Sequence, residues 1–251
     1  MTLWNYSVSG ACIDKDIVPR KYFTTTFREE YTYFIERMSK GRKYADKWNG
    51  SNTLFTFWLG TNDITSLNRT EFPQAFLNQT LDTLGDIFFT NVKGLYDTGA
   101  RNFLIFNVQS INEIPSSNGS SINFDSDVQN FNEHIQKLSK DFTTKFTDSN
   151  IIIYNMMEEI RYIQEHYKDY GFINSNDFWD KKNLTEADIP KYIWIDGLHT
   201  TFKTNGIFAD DVNKCLLSID SLDNKNEEGK DESKKEEGND ESKKEKEKDE
   251  I

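Results

Sequence analysis

Leu54-Phe55-Thr56-Phe57-Trp58-Leu59-Gly60-Thr61-Asn62-Asp63 is an apolar run that ends on a glycine and then turns polar. The run has strand length and aromatic content, and glycine tolerates the sharp turn that follows. In an open parallel sheet, functional side chains gather beyond the carboxyl ends of the strands. An Asn placed there can present its amide as a neutral donor to a developing oxyanion. Taken alone, the tetrapeptide Gly60 to Asp63 reads more readily as an ordinary turn, because Asn and Asp are common turn residues.

Working outward, similar short runs occur at Leu3–Val8, Asn102–Val108 and Ile151–Asn155. Longer patterns with apolar residues three and four apart predict helices between them: Thr24–Met38, Pro73–Tyr96, Val128–Phe146, Met156–Tyr167 and Thr201–Ile219. Pro73 suits a helix start and Gly99 a helix stop. Strands alternating with helices predict an α/β domain with a mainly parallel sheet.

The domain is expected over residues 1–220. Beyond it, residues 221–251 are almost wholly Lys, Glu, Asp, Asn, Ser and Gly. A nine-residue unit starting at Glu227 recurs from Glu236 with one change. Such a segment cannot bury enough apolar surface to offset its ordering entropy, so a disordered tail is predicted. The formal net charge is −12, and no basic patch argues for nucleic acid or an anionic membrane. No apolar run reaches transmembrane length. The first 20 residues lack the basic start and apolar stretch of a signal peptide. Asn-x-Ser/Thr sequons at Asn5, Asn49, Asn68, Asn78, Asn118 and Asn183 fit an extracellular protein. The two cysteines, Cys12 and Cys215, exclude a disulfide-built scaffold; two free thiols are favoured over a single bridge.

Two further segments carry candidate chemistry. Asp196-Gly197-Leu198-His199 precedes the last helical pattern. A His accepts a proton usefully when a carboxylate fixes its ring, and an Asp three residues earlier in a tight loop can reach it. Asn5-Tyr6-Ser7-Val8-Ser9-Gly10-Ala11 is a strand-like run closed by glycine, whose backbone N–H is a second candidate oxyanion donor. Each alone also reads as a plain turn. His134 and His166 show no ligand spacing, and no metal or cofactor is expected.

In this order and spacing the three segments resemble the GDSL-type (SGNH) ester hydrolases, most closely fungal carbohydrate esterases and acetylesterases. Asn5 to Ala11 is similar to the family's second block, Gly60-Thr61-Asn62-Asp63 to its third and Asp196-Gly197-Leu198-His199 to its fifth. Phe106 to Pro115 sits where many relatives have a strand running into a Pro-rich loop. The resemblance implies a flavodoxin-like three-layer α/β/α fold. It also implies a serine ester hydrolase acting on a small ester or an acetylated carbohydrate, with His199 as base, Asp196 as its orienting carboxylate, and Gly10 and Asn62 as oxyanion donors. It departs at the nucleophile, for no Gly-Asp-Ser occurs anywhere. Ser7 and Ser9 are poor substitutes, because a nucleophile there would misplace the oxyanion donors. The expectation is therefore a chain truncated at its N-terminus, lacking the first strand and its helix, and inactive as written. Leu3–Val8 would then lie about 9–10 Å from Thr53–Leu59, twice the strand spacing. The competing reading is a glycan- or acyl-binding pseudoenzyme. In it Trp4, Trp58 and Trp194 would be binding platforms, although core packing is the commoner task of such side chains.

Overall fold

The computed structural model describes residues 2–22, 25–180 and 183–219. The chain divides into two compact units, residues 1–201 and 202–251. In the second unit residues 202–219 form one helix, where the 3.6-residue pattern predicts it. The tail expected over residues 221–251 lies outside the described residues.

The first unit is built on three parallel strands, β1 (Leu54–Phe57), β2 (Asn102–Phe106) and β3 (Asn150–Tyr154), in the order β1-β2-β3. Five helices accompany them: α1 (Phe27–Met38), α2 (Thr61–Ser66), α3 (Gln74–Asp97), α4 (Asp125–Lys145) and α5 (Met156–Glu165). The architecture is α/β, with parallel strands and helices on both sides, as expected of an SGNH fold. Helix α1 starts later than its apolar spacing suggests. Thr26 caps it, with its N–H donating to the Glu29 carboxylate at 2.8 Å. Helix α3 begins after Pro73 and stops where Gly99 takes φ 113°, so that Ala100 N–H reaches back to the Leu95 carbonyl at 3.1 Å.

Aromatic packing welds one sheet face to these helices. Phe27 of α1 meets Phe57 of β1 at 5.3 Å and Phe88 of α3 at 5.2 Å, and Phe142 of α4 meets Phe103 of β2 at 6.2 Å. Each such buried ring contributes on the order of 1.5–3 kcal/mol through area removed from water. Between α3 and α4, Gly85 leaves room for the His134 ring, whose Nε2 pairs with Asp86 at 2.9 Å. His134 is thus an inter-helix contact.

Leu3–Val8 does not form the predicted strand. Residues 2–8 carry no ladder, Leu3 is 85% exposed, and among the described residues β1 pairs only with β2. An isolated run has no partner for its backbone groups, so β propensity alone cannot order it. Side chains from elsewhere in the fold hold residues 8–13 instead. The Glu30 carboxylate accepts from Val8 N–H at 2.7 Å, Arg20 donates to the Gly10 carbonyl, and Asp63 accepts from Ile13 N–H at 2.9 Å. The expected gap between two flanking strands therefore does not arise in that form.

A second sheet was not legible in the sequence. β4 (Asn174–Phe178) pairs in parallel with β5 (Tyr192–Trp194). Trp194 is buried, its indole N–H donating to the Ser175 carbonyl at 3.3 Å. It is a core residue and not an exposed platform; Trp4 and Trp58 are partly exposed.

Candidate active site

The turn after β1 is fixed by close approach. Gly60 has φ 115°, and a Cβ there would stand 2.6 Å from the Phe131 ring and 2.7 Å from Val108. Only glycine lets β1 end against α4 and the loop after β2. The chain then enters α2, whose first turn carries Asn62 and Asp63.

Asn62 and the Gly10 turn, distant in sequence, meet here. The Asn62 side-chain amide donates to the Ala11 carbonyl at 3.0 Å. An amide nitrogen has two hydrogens, so one remains for another acceptor. Gly10 takes φ 79° in a turn closed by Ala11 N–H to the Val8 carbonyl at 3.1 Å. Its own N–H has no partner among the described residues. Two donors therefore sit on bonded neighbours of one contact.

Asp63 is the residue whose weight the sequence did not disclose. It is fully buried. One carboxylate oxygen accepts from Ile13 N–H, while the other has no hydrogen-bond partner among the described residues. Burial pushes its carboxyl up to about 7, against the opposing pull of the Ile13 and Asp63 backbone N–H groups and of Arg20. Its neighbour Cys12 is buried and free, with its thiol raised to about 11 chiefly by the same desolvation. Cys215 is also free, so no bridge joins the two. The only sequence signal for Asp63 was its place after Asn62.

Asp196 and His199 lie on the loop that leaves β5. Ile195 N–H donates to the His199 carbonyl at 2.8 Å, closing the loop, and Thr201 N–H donates to Ile193 at 2.8 Å. The Asp196 carboxylate accepts from Leu198 N–H at 2.8 Å, from His199 N–H at 2.7 Å and from His199 Nδ1 at 2.8 Å. Partial burial works to raise the Asp196 carboxyl, but these bonds outweigh it and hold the group below its ordinary value. A histidine donating from Nδ1 keeps its lone pair on Nε2, the form a general base requires. Both side chains are more than half exposed.

Both halves touch the segment that follows β2. Val108, just past β2, packs against Gly60. Ser116, in the short 3-10 turn Pro115–Ser117 after β2, donates its N–H to the Gly197 carbonyl at 2.9 Å. Among the described residues no group of three His, Cys, Asp or Glu is arranged to hold a metal, and no helix is long and apolar enough to cross a membrane.

The chain is 25% identical over 215 residues to an acetylesterase of Thermothelomyces thermophilus, covering 83% of this chain and 67% of that protein. It is 27% identical over 221 residues to a GDSL esterase/lipase of Arabidopsis thaliana, covering 75% and 56%, and 19% identical over 229 residues to another from that plant, covering 78% and 63%. The chain thus spans between about half and two thirds of the length of these relatives. The family model described as GDSL-like lipase/acylhydrolase matches residues 1–212. With the three motif segments inside that match, the chain belongs to the GDSL-like lipase/acylhydrolase family.

Proposed function

We propose that the chain carries the base and oxyanion machinery of a serine ester hydrolase that removes acetyl or similarly small acyl groups, from carbohydrate or small esters. The observation that carries this reading is the Asp196–His199 pair, with Nδ1 bonded to the carboxylate at 2.8 Å and Nε2 left as the proton acceptor. In the reaction a serine hydroxyl attacks the ester carbonyl while His199 Nε2 takes its proton. The carbonyl oxygen becomes an oxyanion, held by Gly10 N–H and the second hydrogen of the Asn62 amide. His199 returns the proton to the leaving alcohol, and water releases the acyl group by the same steps. Losing one such donor raises the barrier by roughly 3 kcal/mol. The likeness to an acetylesterase supports a short acyl group. The six Asn-x-Ser/Thr sequons support a place outside the cell.

The attacking serine is assigned to no residue here, since no Gly-Asp-Ser occurs in the 251 residues. The test is p-nitrophenyl acetate turnover by the chain alone, by the chain with a Gly-Asp-Ser-bearing segment of the fungal acetylesterase fused ahead of it, and by His199→Ala versions of both. The fused form is expected to gain turnover that His199→Ala abolishes, while the chain alone is no faster than its own His199→Ala variant. A fused, folded protein whose turnover ignores His199 overturns the reading. A second reading, a non-catalytic binder, predicts ester binding with no turnover in either form.

A further inference from the structure

Beyond the carboxyl ends of β2 and β3 lies a cavity of about 580 Å3, lined by residues 125–136 of α4 and 157–161 of α5. Neither Asn62 nor His199 lines it. Five carboxamides line it beside charged groups: Asn107, Gln129, Asn132, Gln136 and Asn155. Several are locked in place. Asn107 donates to Asn155 at 2.8 Å and accepts from Met157 N–H at 3.2 Å. Asn132 bridges both backbone groups of Val108 at 2.9 Å each. Arg161 pairs with Glu113 at 3.1 Å and is braced by Glu158 at 3.0 Å.

This wiring leaves donors unspent. Counting two hydrogens per amide nitrogen, Asn107 and Asn132 each keep one. Asn155 and Gln136 keep both, with no partner for them among the described residues. Prior fixing of the Asn side chains lowers the entropy lost when a ligand binds. The floor is apolar, with Ile153 and Met157.

The lining selects by exclusion. Glu113, Asp125 and Glu133 outnumber the one guanidinium, so an anion is disfavoured. A long acyl chain would bury these polar walls without satisfying them. A neutral, hydroxyl-rich molecule meets both conditions: its hydroxyls pair with amides and carboxylates, and its C–H faces rest on the floor. Glu113 belongs to the loop whose Ser116 holds Gly197, so the cavity adjoins the segment that carries His199. We propose that this cavity is a saccharide subsite, binding an uncharged sugar of the alcohol part of the ester. Its purpose rests on the esterase reading, but its ligand needs no ester.

The experiment titrates the isotope-labelled full chain with two unesterified neutral probes, xylotetraose and maltotetraose, and separately with octanoate and glucuronate. Amide signals of Asn107, Asn132 and Asn155 are expected to shift saturably with at least one tetrasaccharide and with neither anion. Gln136→Ala, an exposed helix position, is expected to weaken that binding by about threefold to tenfold, the worth of a neutral hydrogen bond. His199→Ala should leave it unchanged, so a failed turnover assay and a failed subsite are told apart. No saturable shift with either tetrasaccharide, shifts produced by octanoate instead, or unaltered affinity in folded Gln136→Ala would each overturn the proposal.

Discussion

The turn Gly60 to Asp63 and the loop Asp196 to His199 carry the two halves of the candidate site, and they are built in opposite ways. The first is buried and long-range: Gly60 lies under Phe131 and Val108, Asn62 reaches Ala11, and Asp63 reaches Ile13. The second is exposed and local, with Asp196 bonding the backbone and ring of residues two and three positions on. Donors proposed for an oxyanion must be held still against developing charge, and burial among remote contacts does that. A base needs only its ring orientation fixed, which a short loop supplies.

The largest consequence falls on Gly60. Gly60→Ala forces a Cβ into Phe131 and Val108 at a positive φ and is expected to lower stability by about 3 kcal/mol. Gly197→Ala, whose Cβ would meet Ser116 Cβ at 3.0 Å and its backbone at 3.5 Å, at no positive φ, should cost about 1 kcal/mol. Urea unfolding midpoints compare the two; equal losses would break the contrast.

Asp63 gives the contrast a pH signature. Its carboxyl is raised from 3.8 to about 7, so between those values the folded chain binds the proton that the unfolded chain has released. Stability from this group is therefore full below about pH 4 and falls as pH rises towards 7. Asp63→Asn should remove that fall. The midpoint difference between the wild type and Asp63→Asn, read at pH 5 and pH 8, checks it. A wild type that gains relative to the variant at pH 8 would reverse the sign.

The exposed loop should behave otherwise. Asp196 is held below its ordinary value, so its contribution is present above that range and lost only as pH falls through the folded pKa. Asp196→Ala is expected to change global stability by no more than about 0.5 kcal/mol, since the carboxylate is mostly exposed. Its effect should appear in the His199 ring, where nitrogen chemical shifts report the proton on Nδ1. In the variant that preference should disappear; an unchanged ring spectrum would mean that Asp196 does not orient His199. The smallest stability effect is expected for His199→Ala itself, within about 0.5 kcal/mol, a value that thermal unfolding can bound.

Much of this was written in the sequence because the signals are local. Apolar residues three and four apart specify α3 and α4, a proline start and a glycine stop mark the ends of α3, and short apolar runs specify β1, β2 and β3. The Asp196–His199 bond was legible for the same reason, being three residues long. What escaped depended on partners elsewhere in the chain. Leu3–Val8 has strand-forming residues but no neighbouring strand, so its environment overrules its propensity. Asn174–Phe178 carries no apolar strand run, yet pairs with β5, which leads into the His199 loop. The burial of Asp63 and the meeting of Asn62 with the Gly10 turn likewise belong to the tertiary structure alone. A sequence states which groups are present and how they repeat, whereas desolvation and contact across fifty residues exist only after the chain has packed.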